Sequence, residues 1–559
     1  MMDHKDPWKL YEAGRAYNNR LVPNQYSLVE TNTEFLAGNQ WLHLPDTPAM
    51  RDLPKPTFNI LKRVASLFIA SLTSSAIAIR YEPLSYYGGR GQDADRKTVD
   101  MANGAVKSLL EQLHFDYRVR QALFDGATSG DYCAHFYFDP SAKPYGGALG
   151  GEMGEIRMEL VDGVNVMFGN PNTSHVESQP YILIVGRDTV DHLRKEQELW
   201  GGSGEICADG ENSFMTGVGG KTELGTDGEG GKALYVYLYY KQPVERRRAD
   251  GTAYTAQEVL VTKATRDAVI FQAVETGLSR YPIAWGNWEK QKNQYHGRAL
   301  VTGLVPNQIF INSMFATAMR HLQLMAFPKT VYNADMISAW SNEVGQAIGV
   351  HGLQPGQSVS QIAYNLPAAE MSSQIFSLID RAMTYTKECL GATDAQLGTA
   401  KAENTSALIV LQTNAQVPLE NIRAGLYEWV EDIGLILLDM MGTYYGERSV
   451  VVEREFTEPL YAASGRVALN GQGLMATDRK KRSVVERFDF SVFKDLWLKV
   501  GCDVGESAYF SEITLTETLD NLRREGVLDL VQYLERVPEK MVPRKQELID
   551  ELKQKGGVA

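Results

Sequence analysis

The sequence predicts an α+β fold, on three observations. Apolar residues recur at helical spacing over much of residues 7–80 and 95–130 and again over Gly297–Met325, about 369–390 and about 406–445, the spacing of buried helix faces. Between Tyr132 and Val274 the period changes to two, the spacing of strands with one buried face. The third observation is an arrangement: two helical stretches flank a short mixed insert, and a polar loop and a longer helix follow. At 559 residues the chain can form three or four folding units with cores of their own. Hydrophobic residues at 44% and charged residues at 22% are ordinary for globular proteins, which excludes collagen, coiled coil and wholesale disorder.

The elements follow in order. Trp8, Leu10, Tyr11, Ala13 and Tyr17 form the stripe of a first helix. Glu34 to Trp41 and a proline-rich stretch from Pro45 to Pro56 come next, and Asn59 stands where it can cap a helix starting at Ile60. The apolar run from Val64 to Ile79 carries five Ser/Thr residues and is too short for a bilayer span of about 20 residues, so it reads as a buried helix. A helical block from about Asp95 to Gly130 follows. Strands are expected at Ala134–Phe138, Ile156–Leu160, Val164–Phe168 and Tyr181–Val185, and then a short helix capped by Thr189. Eleven glycines between residues 201 and 232 mark a long loop. Ala233–Gln242, Gln257–Thr265 and Val269–Val274 read as a β-meander whose first turn holds Arg246, Arg247, Arg248 and an Asp-Gly hairpin signal. Pro306 either starts or kinks the helix that ends near Met325. Residues 327–368 read as a small α/β insert, about Ala369–Leu390 as a second helix and about Ser406–Tyr445 as a long helix with Pro418 as its kink. Strands and loops are expected over 449–500 and helix over 513–555.

Composition and motif searches remove whole classes of function. Lys plus Arg number 56 against 69 Asp plus Glu, a net charge of −13, which excludes a strongly basic nucleic-acid binder but not local basic patches. Cys133, Cys207, Cys389 and Cys502 are too scattered for a zinc site and read as reduced thiols packed as small hydrophobes. The amino terminus has no apolar segment of a secretory signal, so a reducing cytoplasm is expected. Gly220-Lys221-Thr222 ends like a phosphate-binding loop, but Met215 stands where the opening glycine belongs. No metalloprotease His pair or nucleophile elbow occurs, and Glu431-Asp432 read as a solvated helix face rather than an acid–base dyad. No catalytic residues, metal ligands or cofactors are therefore assigned, and the chain is not read as an enzyme. Two basic clusters stand out: Arg246, Arg247 and Arg248 at a hairpin tip, and Arg479, Lys480, Lys481 and Arg482 in a polar loop. They are candidates for phosphate contacts, intersubunit salt bridges or plain solubilising tips.

Several stretches in a fixed order resemble the portal proteins of tailed bacteriophages. They are Gly38-Asn39-Gln40-Trp41, Pro56-Thr57-Phe58-Asn59-Ile60, Tyr281-Pro282-Ile283 through His296-Gly297-Arg298, and Pro306-Asn307-Gln308 through Asn312. Gly391-Ala392-Thr393 through Gly398, Asn404 to Ala407, Asp489-Phe490 through Gly505, and Leu519 to Val527 continue the pattern. Each is short, and their order over nearly the whole chain carries the signal. The resemblance implies a portal architecture: a mixed α/β wing over residues 1–297, a two-helix stem at 298–325 and 369–390, and a small α/β clip at 326–368. A tunnel loop at 391–405, a long helix and return to the wing at 406–500, and a helical crown at 501–559 complete it.

That resemblance also implies a function. Twelve subunits would form a ring at one capsid vertex, around a channel for packaging and ejecting double-stranded DNA. The clip would dock the packaging terminase and then the head–tail adaptor, and other faces would meet major capsid protein or scaffold. The protein would be found in the virion and, during assembly, in the host cytoplasm, with no membrane partner. Thr399, Lys401, Glu403 and Asn404 would lie at the tunnel loop, with Lys401 touching phosphate briefly or pairing with Glu403. An acidic channel wall would repel DNA and so let it pass, because each neutralised phosphate adds affinity. The competing readings are another virion component (capsid or tail) and, with less support, a packaging enzyme.

Overall fold

The computed structural model describes residues 6–42, 53–74, 77–83, 92–143, 154–208, 231–247, 253–325, 330–337, 348–353, 355–356, 358, 362–365, 373–389, 419–459, 477–495, 498–504, 519, 523 and 530–537. It is mixed α+β, and its contacts divide the chain into two units, one made of residues 1–33, 65–302 and 394–559, the other of residues 34–64 and 303–393.

The first unit is built on sheets. Helix α1 (Pro7–Arg20) starts where the Asp6 carboxylate accepts the Lys9 N–H at 3.3 Å, with Pro7 at its first position. Strands β4 (Val166–Phe168), β5 (Tyr181–Thr189), β7 (Lys232–Arg247), β8 (Ala253–Ala264), β9 (Ala268–Glu275) and β6 (Ser203–Gly204) form an antiparallel sheet in the order β4-β5-β7-β8-β9-β6. The meander is present and longer than its apolar pattern suggests, with β7 and β8 paired from Val236↔Ala264 out to Arg247↔Ala253. One face carries Leu183, Val185, Val236, Leu238 and Leu260, and α1 lays Tyr11 onto it with Trp8 and Leu10 alongside. Helix α6 (Val190–Trp200) follows β5 as expected, although Thr189 makes no capping hydrogen bond with its side chain.

A second antiparallel sheet, ordered β10-β2-β3, joins β2 (Asp131–Asp139), β3 (Glu155–Val161) and β10 (Ile283–Asn287). The long helix α9 (Glu420–Tyr444) is anchored to it by Trp429, which is buried and donates its indole N–H to Ala284 O at 3.2 Å. The expected start of that helix, residues 406–418 with Pro418, lies outside the described residues, as does most of the expected helical carboxyl terminus apart from α10 (Leu530–Arg536).

Three expectations change. The apolar run from Val64 to Ile79 is a helix and a strand: α3 (Ile60–Leu72) stops and β1 (Ile77–Pro83) begins. Thr73 and Ser74 hydroxyls bond back to Ile69 O (2.8 Å) and Ser71 O (2.9 Å), competing with helix continuation, and Ile77, Ile79 and Tyr81 then alternate buried with exposed neighbours. The block from Asp95 to Gly130 is two helices, α4 (Gln92–Gln112) and α5 (Phe115–Ser129), separated at His114, whose φ of 49° no helix allows. The Arg479–Arg482 cluster lies in a strand rather than a loop. It belongs to β14 (Thr477–Asp489), paired in register with β13 (Glu447–Pro459) from Glu447↔Asp489 to Pro459↔Thr477.

Where α5 meets β2 the sheets are tied by buried polar groups. Asp131, fully buried, accepts Asn287 Nδ2 (2.7 Å) and Gly297 N (2.7 Å) and meets His296 Nδ1 at 2.5 Å. His296 Nε2 lies 3.0 Å from Asn18 Oδ1, which also accepts the Tyr295 hydroxyl at 3.2 Å. Gly130, at φ +92°, lets the backbones close: a Cβ there would stand 2.4 Å from Gly297 O. Gly130→Ala therefore combines strain with a backbone clash and should cost several kcal/mol, on the order of a whole domain's margin. Loss of soluble protein, or a large fall in thermal midpoint, is the expected outcome, whereas Gly201→Ala, with a left-handed φ of +66° but open space around its Cβ position, should cost only the strain, about 1–2 kcal/mol, and keep the protein soluble.

Candidate functional site at the root of the helix pair

The second unit holds the helix–insert–helix arrangement. Helix α7 (Val305–Met325) begins with Pro306 in its first turn, so Pro306 starts the helix and does not kink it. Residues Val301–Gly303 before it form a 3-10 turn, and the partner helix α8 spans Ser373–Cys389. Within the insert β11 (Thr330–Tyr332) pairs with β12 (Ala363–Asn365), and Asn333 N donates to Ile362 O at 2.9 Å over the buried Ile337 and Ile362.

Three of the short motifs meet at the root of α7. Helix α2 (Gln25–Ala37) ends at Gly38, whose φ of +103° turns the chain out of the helix. Gln40, 1% exposed, donates Nε2 to Phe35 O (3.1 Å) and accepts Asn312 Nδ2 on its Oε1 (2.6 Å). Asn312 Oδ1 in turn accepts Gln308 Nε2 (2.9 Å), which also donates to Phe58 O (2.7 Å), while Gln308 Oε1 accepts the Ile60 N–H (3.2 Å). Asn59 works at two ends, as its amide donates to Leu36 O (2.9 Å) and its oxygen accepts Lys62 N (3.0 Å), capping α3 as expected. Trp41 donates to Pro56 O at 3.0 Å, and Phe58 packs on Phe315 with ring centroids 4.7 Å apart. Buried amides are costly unless paired, and this chain of donors and acceptors pairs them. Gln40, Asn59, Gln308 and Asn312 all lie in the short motifs, but spacing alone does not show that they touch.

Away from this root the helix pair is apolar on its outside. Phe310, Met319, Leu322 and Leu324 on α7, and Phe376, Leu378 and Tyr385 on α8, are between 37% and 59% exposed. At about 100° per residue they fall on more than one side of each helix, so they do not form a single apolar face.

The remaining sequence-predicted residues are spread over the chain. Arg246 is engaged within its own sheet: Nε and Nη2 grip both Glu258 oxygens at 2.6 Å each, and Nη2 reaches Glu275 at 3.1 Å. The side chains of Arg247, Arg479, Lys480, Lys481 and Arg482 are outside the described ones, as is Arg248 altogether, and so are Thr399, Lys401, Glu403 and Asn404 of the expected tunnel loop. Glu431 and Asp432 are half-buried rather than solvated; Glu431 accepts the Cys502 N–H at 3.3 Å, and burial pushes the Asp432 carboxyl up. Cys133 is a buried free thiol as expected, but Cys207 is exposed. His135 is a packed strand residue, held between Glu159 (2.7 Å) and the Tyr239 hydroxyl (2.8 Å). Among the described residues no His/Cys/Asp/Glu group could hold a metal ion, and no helix is long and apolar enough to cross a membrane.

Residues 229–453 match the Phage P22-like portal protein family. The match runs from before β7 into β13 and takes in the helix pair and its insert, together with the portal-like stretches between Tyr281 and Ala407. Portal proteins are structural rather than enzymatic. No curated protein matches the chain.

Gln308→Leu keeps the volume but leaves Asn312 Oδ1 without its donor and takes one of two partners from Phe58 O and from Ile60 N–H, which still pair with each other at 2.8 Å. A loss of about 2–3 kcal/mol is expected, read as a lower unfolding midpoint, because buried groups left unpaired each cost about 1–3 kcal/mol. A pH dependence follows from Arg246. Its hydrogen bonds hold the Glu258 carboxyl below the usual carboxylate range against the opposing effect of burial. A depressed carboxylate stabilises the fold above its unfolded value of about 4.3 and loses that contribution as pH falls through its folded value. Arg246→Ala should thus lower the thermal midpoint modestly at pH 7, by about 1 kcal/mol or less since Arg246 is partly exposed. The gap between variant and wild type should close below about pH 4.

Proposed function

We propose that this chain is the subunit of a phage portal ring set at one capsid vertex. The ring encloses the channel for packaging and ejecting double-stranded DNA, and it docks the packaging terminase and later the head–tail adaptor. The observation that carries this reading is the family match over residues 229–453, which spans the helix pair and the insert between its helices. The exposed apolar residues of that pair support assembly: Leu322, Leu324 and Tyr385, each more than half exposed, suit contact with adjacent copies in a closed ring.

In this reading residues 1–297 are the wing, 298–325 and 369–390 the stem, 326–368 the clip, 391–405 the tunnel loop, 406–500 the long helix and return to the wing, and 501–559 the crown. The contact-defined unit that gathers residues 303–393 supports treating stem and clip together, although it also takes in residues 34–64 and leaves 298–302 with the other unit. The net charge of −13 per subunit suits a channel whose wall repels phosphate and so does not hold the passing DNA. Lys401 near the constriction makes brief phosphate contacts or pairs with Glu403. Capsid protein or scaffold meets the ring from outside, in the virion and, during assembly, in the host cytoplasm.

Purified protein imaged in negative stain should show rings with a central hole, and twelve-fold class averages where the capsid vertex is imaged. Monomers, sheets or tubes under all assembly conditions would reject the portal reading in favour of another virion component.

A further inference from the structure

The loop over residues 289–298 is basic, in a chain whose net charge is −13. Lys290, Lys292 and Arg298 are all exposed, against a single acid, Glu289. The loop exposes no large apolar side chain: Trp288 at its foot and Tyr295 within it are buried, at 4% and 1% exposure. A β-bridge between Glu289 and Arg298 closes it, with Arg298 N donating to Glu289 O at 2.9 Å.

The returning limb is strapped to the first unit. Tyr295 N donates to Pro171 O (3.0 Å), and Tyr295 O accepts Asn287 Nδ2 (2.9 Å) and Trp285 Nε1 (3.3 Å). His296 and Gly297 are held by the buried Asp131. Asn293, at φ 59°, turns the chain between the two limbs. Both ends of the loop are therefore fixed before anything binds, which lowers the ordering entropy that a partner must offset. Helix α1 ends beside this limb. The Tyr17 ring stacks on Tyr295 with centroids 5.9 Å apart, and Asn18 meets both Tyr295 and His296. Arg20, exposed and one turn on from Tyr17, thus adds a fourth cation to the patch. Among the described residues none of the four is drawn into an ion pair or a side-chain hydrogen bond, whereas Lys241 and Lys263 are tied to Glu177 and Glu196.

We propose that this loop, together with Arg20, binds the phosphate backbone of double-stranded DNA without reading its sequence. Lysine and arginine side chains, with the amides of Gln291, Asn293 and Gln294 among them, are the donors that phosphate oxygens take. A protein partner would need an aromatic or aliphatic anchor at the centre of the contact, and the loop offers none. The duplex is the polyanion that the proposed function brings to this chain, and in that the inference rests on that reading. The contact itself belongs to one subunit and needs neither a closed ring nor residues 391–405. So few phosphate contacts hold DNA loosely and let it slide.

The test uses the full chain and a relaxed, closed circular duplex, which cannot thread through a ring that is already closed. Retention on a filter is measured from about 50 to 200 mM NaCl, the range over which phosphate contacts weaken steeply. Saturable, salt-sensitive binding is expected. Each phosphate contact adds about 0.9 to the slope of log affinity against log salt. The pair Lys290→Ala and Lys292→Ala should therefore lower the slope by about 1.8 per bound subunit and weaken binding roughly 60-fold at about 0.1 M salt. Lys195→Ala, which removes an exposed cation on α6 outside the loop, should leave both unchanged. Both loop lysines are exposed, so the unfolding midpoint should hold; if the double variant is unstable, Lys292→Ala alone, with half the change in slope, decides. No binding, an unchanged slope in the loop variants, or an equal loss in Lys195→Ala overturns the proposal. Poly-glutamate competing as well as DNA at equal charge also overturns it, because the loop is then a site for an acidic protein segment. The same samples are imaged in negative stain: binding without rings rejects the portal reading and leaves this contact standing, and rings with an unchanged slope reject the contact alone.

Discussion

The rest of the second unit depends on a short chain of side-chain amides. Gln40, Asn312 and Gln308 pass hydrogen bonds from one to the next inside an apolar core, and Gln308 and Asn59 hand them on to the backbone at Phe58, Ile60 and Leu36. A buried amide has more than one hydrogen-bonding group to satisfy, so only one arrangement of the strands of chain that meet here leaves nothing unpaired. Leucines in the same places would bury as well but would tolerate sliding. The amides trade some hydrophobic stabilisation for a fixed register between residues 35–60 and the start of α7, which orients the helix pair that grows from it.

The first unit uses the same device with a charged group. Asp131 collects Asn287, His296 and Gly297, and Asn18 receives His296 and Tyr295 from the other side. The glycines matter because the carboxylate is buried: Gly130 and Gly297 approach so closely that a side chain on either would meet backbone atoms. In both units the polar core therefore holds together pieces that lie far apart in the chain.

Much of the fold is legible in the sequence where periodicity is strong. The meander, the helix pair, the first helix and Asn59 as a cap all follow from spacing and residue type. The Val64–Ile79 run misleads because apolarity alone does not separate helix from strand; the Ser/Thr cluster at its middle is the signal for the break. Arg479 to Arg482 suggest a loop because charge hides strand period, and only their pairing with residues 454–457 reveals it. The amide chain was visible as separate words and not as a site. Nothing in one sequence says that Gln40 and Asn312 touch, since their partnership is made by folding and not by spacing. Arg246 is a similar case: a hairpin-tip arginine looks free until two carboxylates from neighbouring strands close on it.

Gln40 and Asn312 are 272 residues apart. A ribosome that has made α2 must still make residues 65–302 of the sheet-rich unit before the partner of Gln40 exists. Loops of that length close slowly, and the contacts that reward closure come last. The start of α7 then locks after the six-stranded sheet has formed on its local pairings and before α9, β13, β14 and β15 (Leu498–Val504) are made. The apolar helices thus emerge on a chain whose first unit still lacks α9 and the partner strand of β1, an interval of synthesis in which half-made copies can associate.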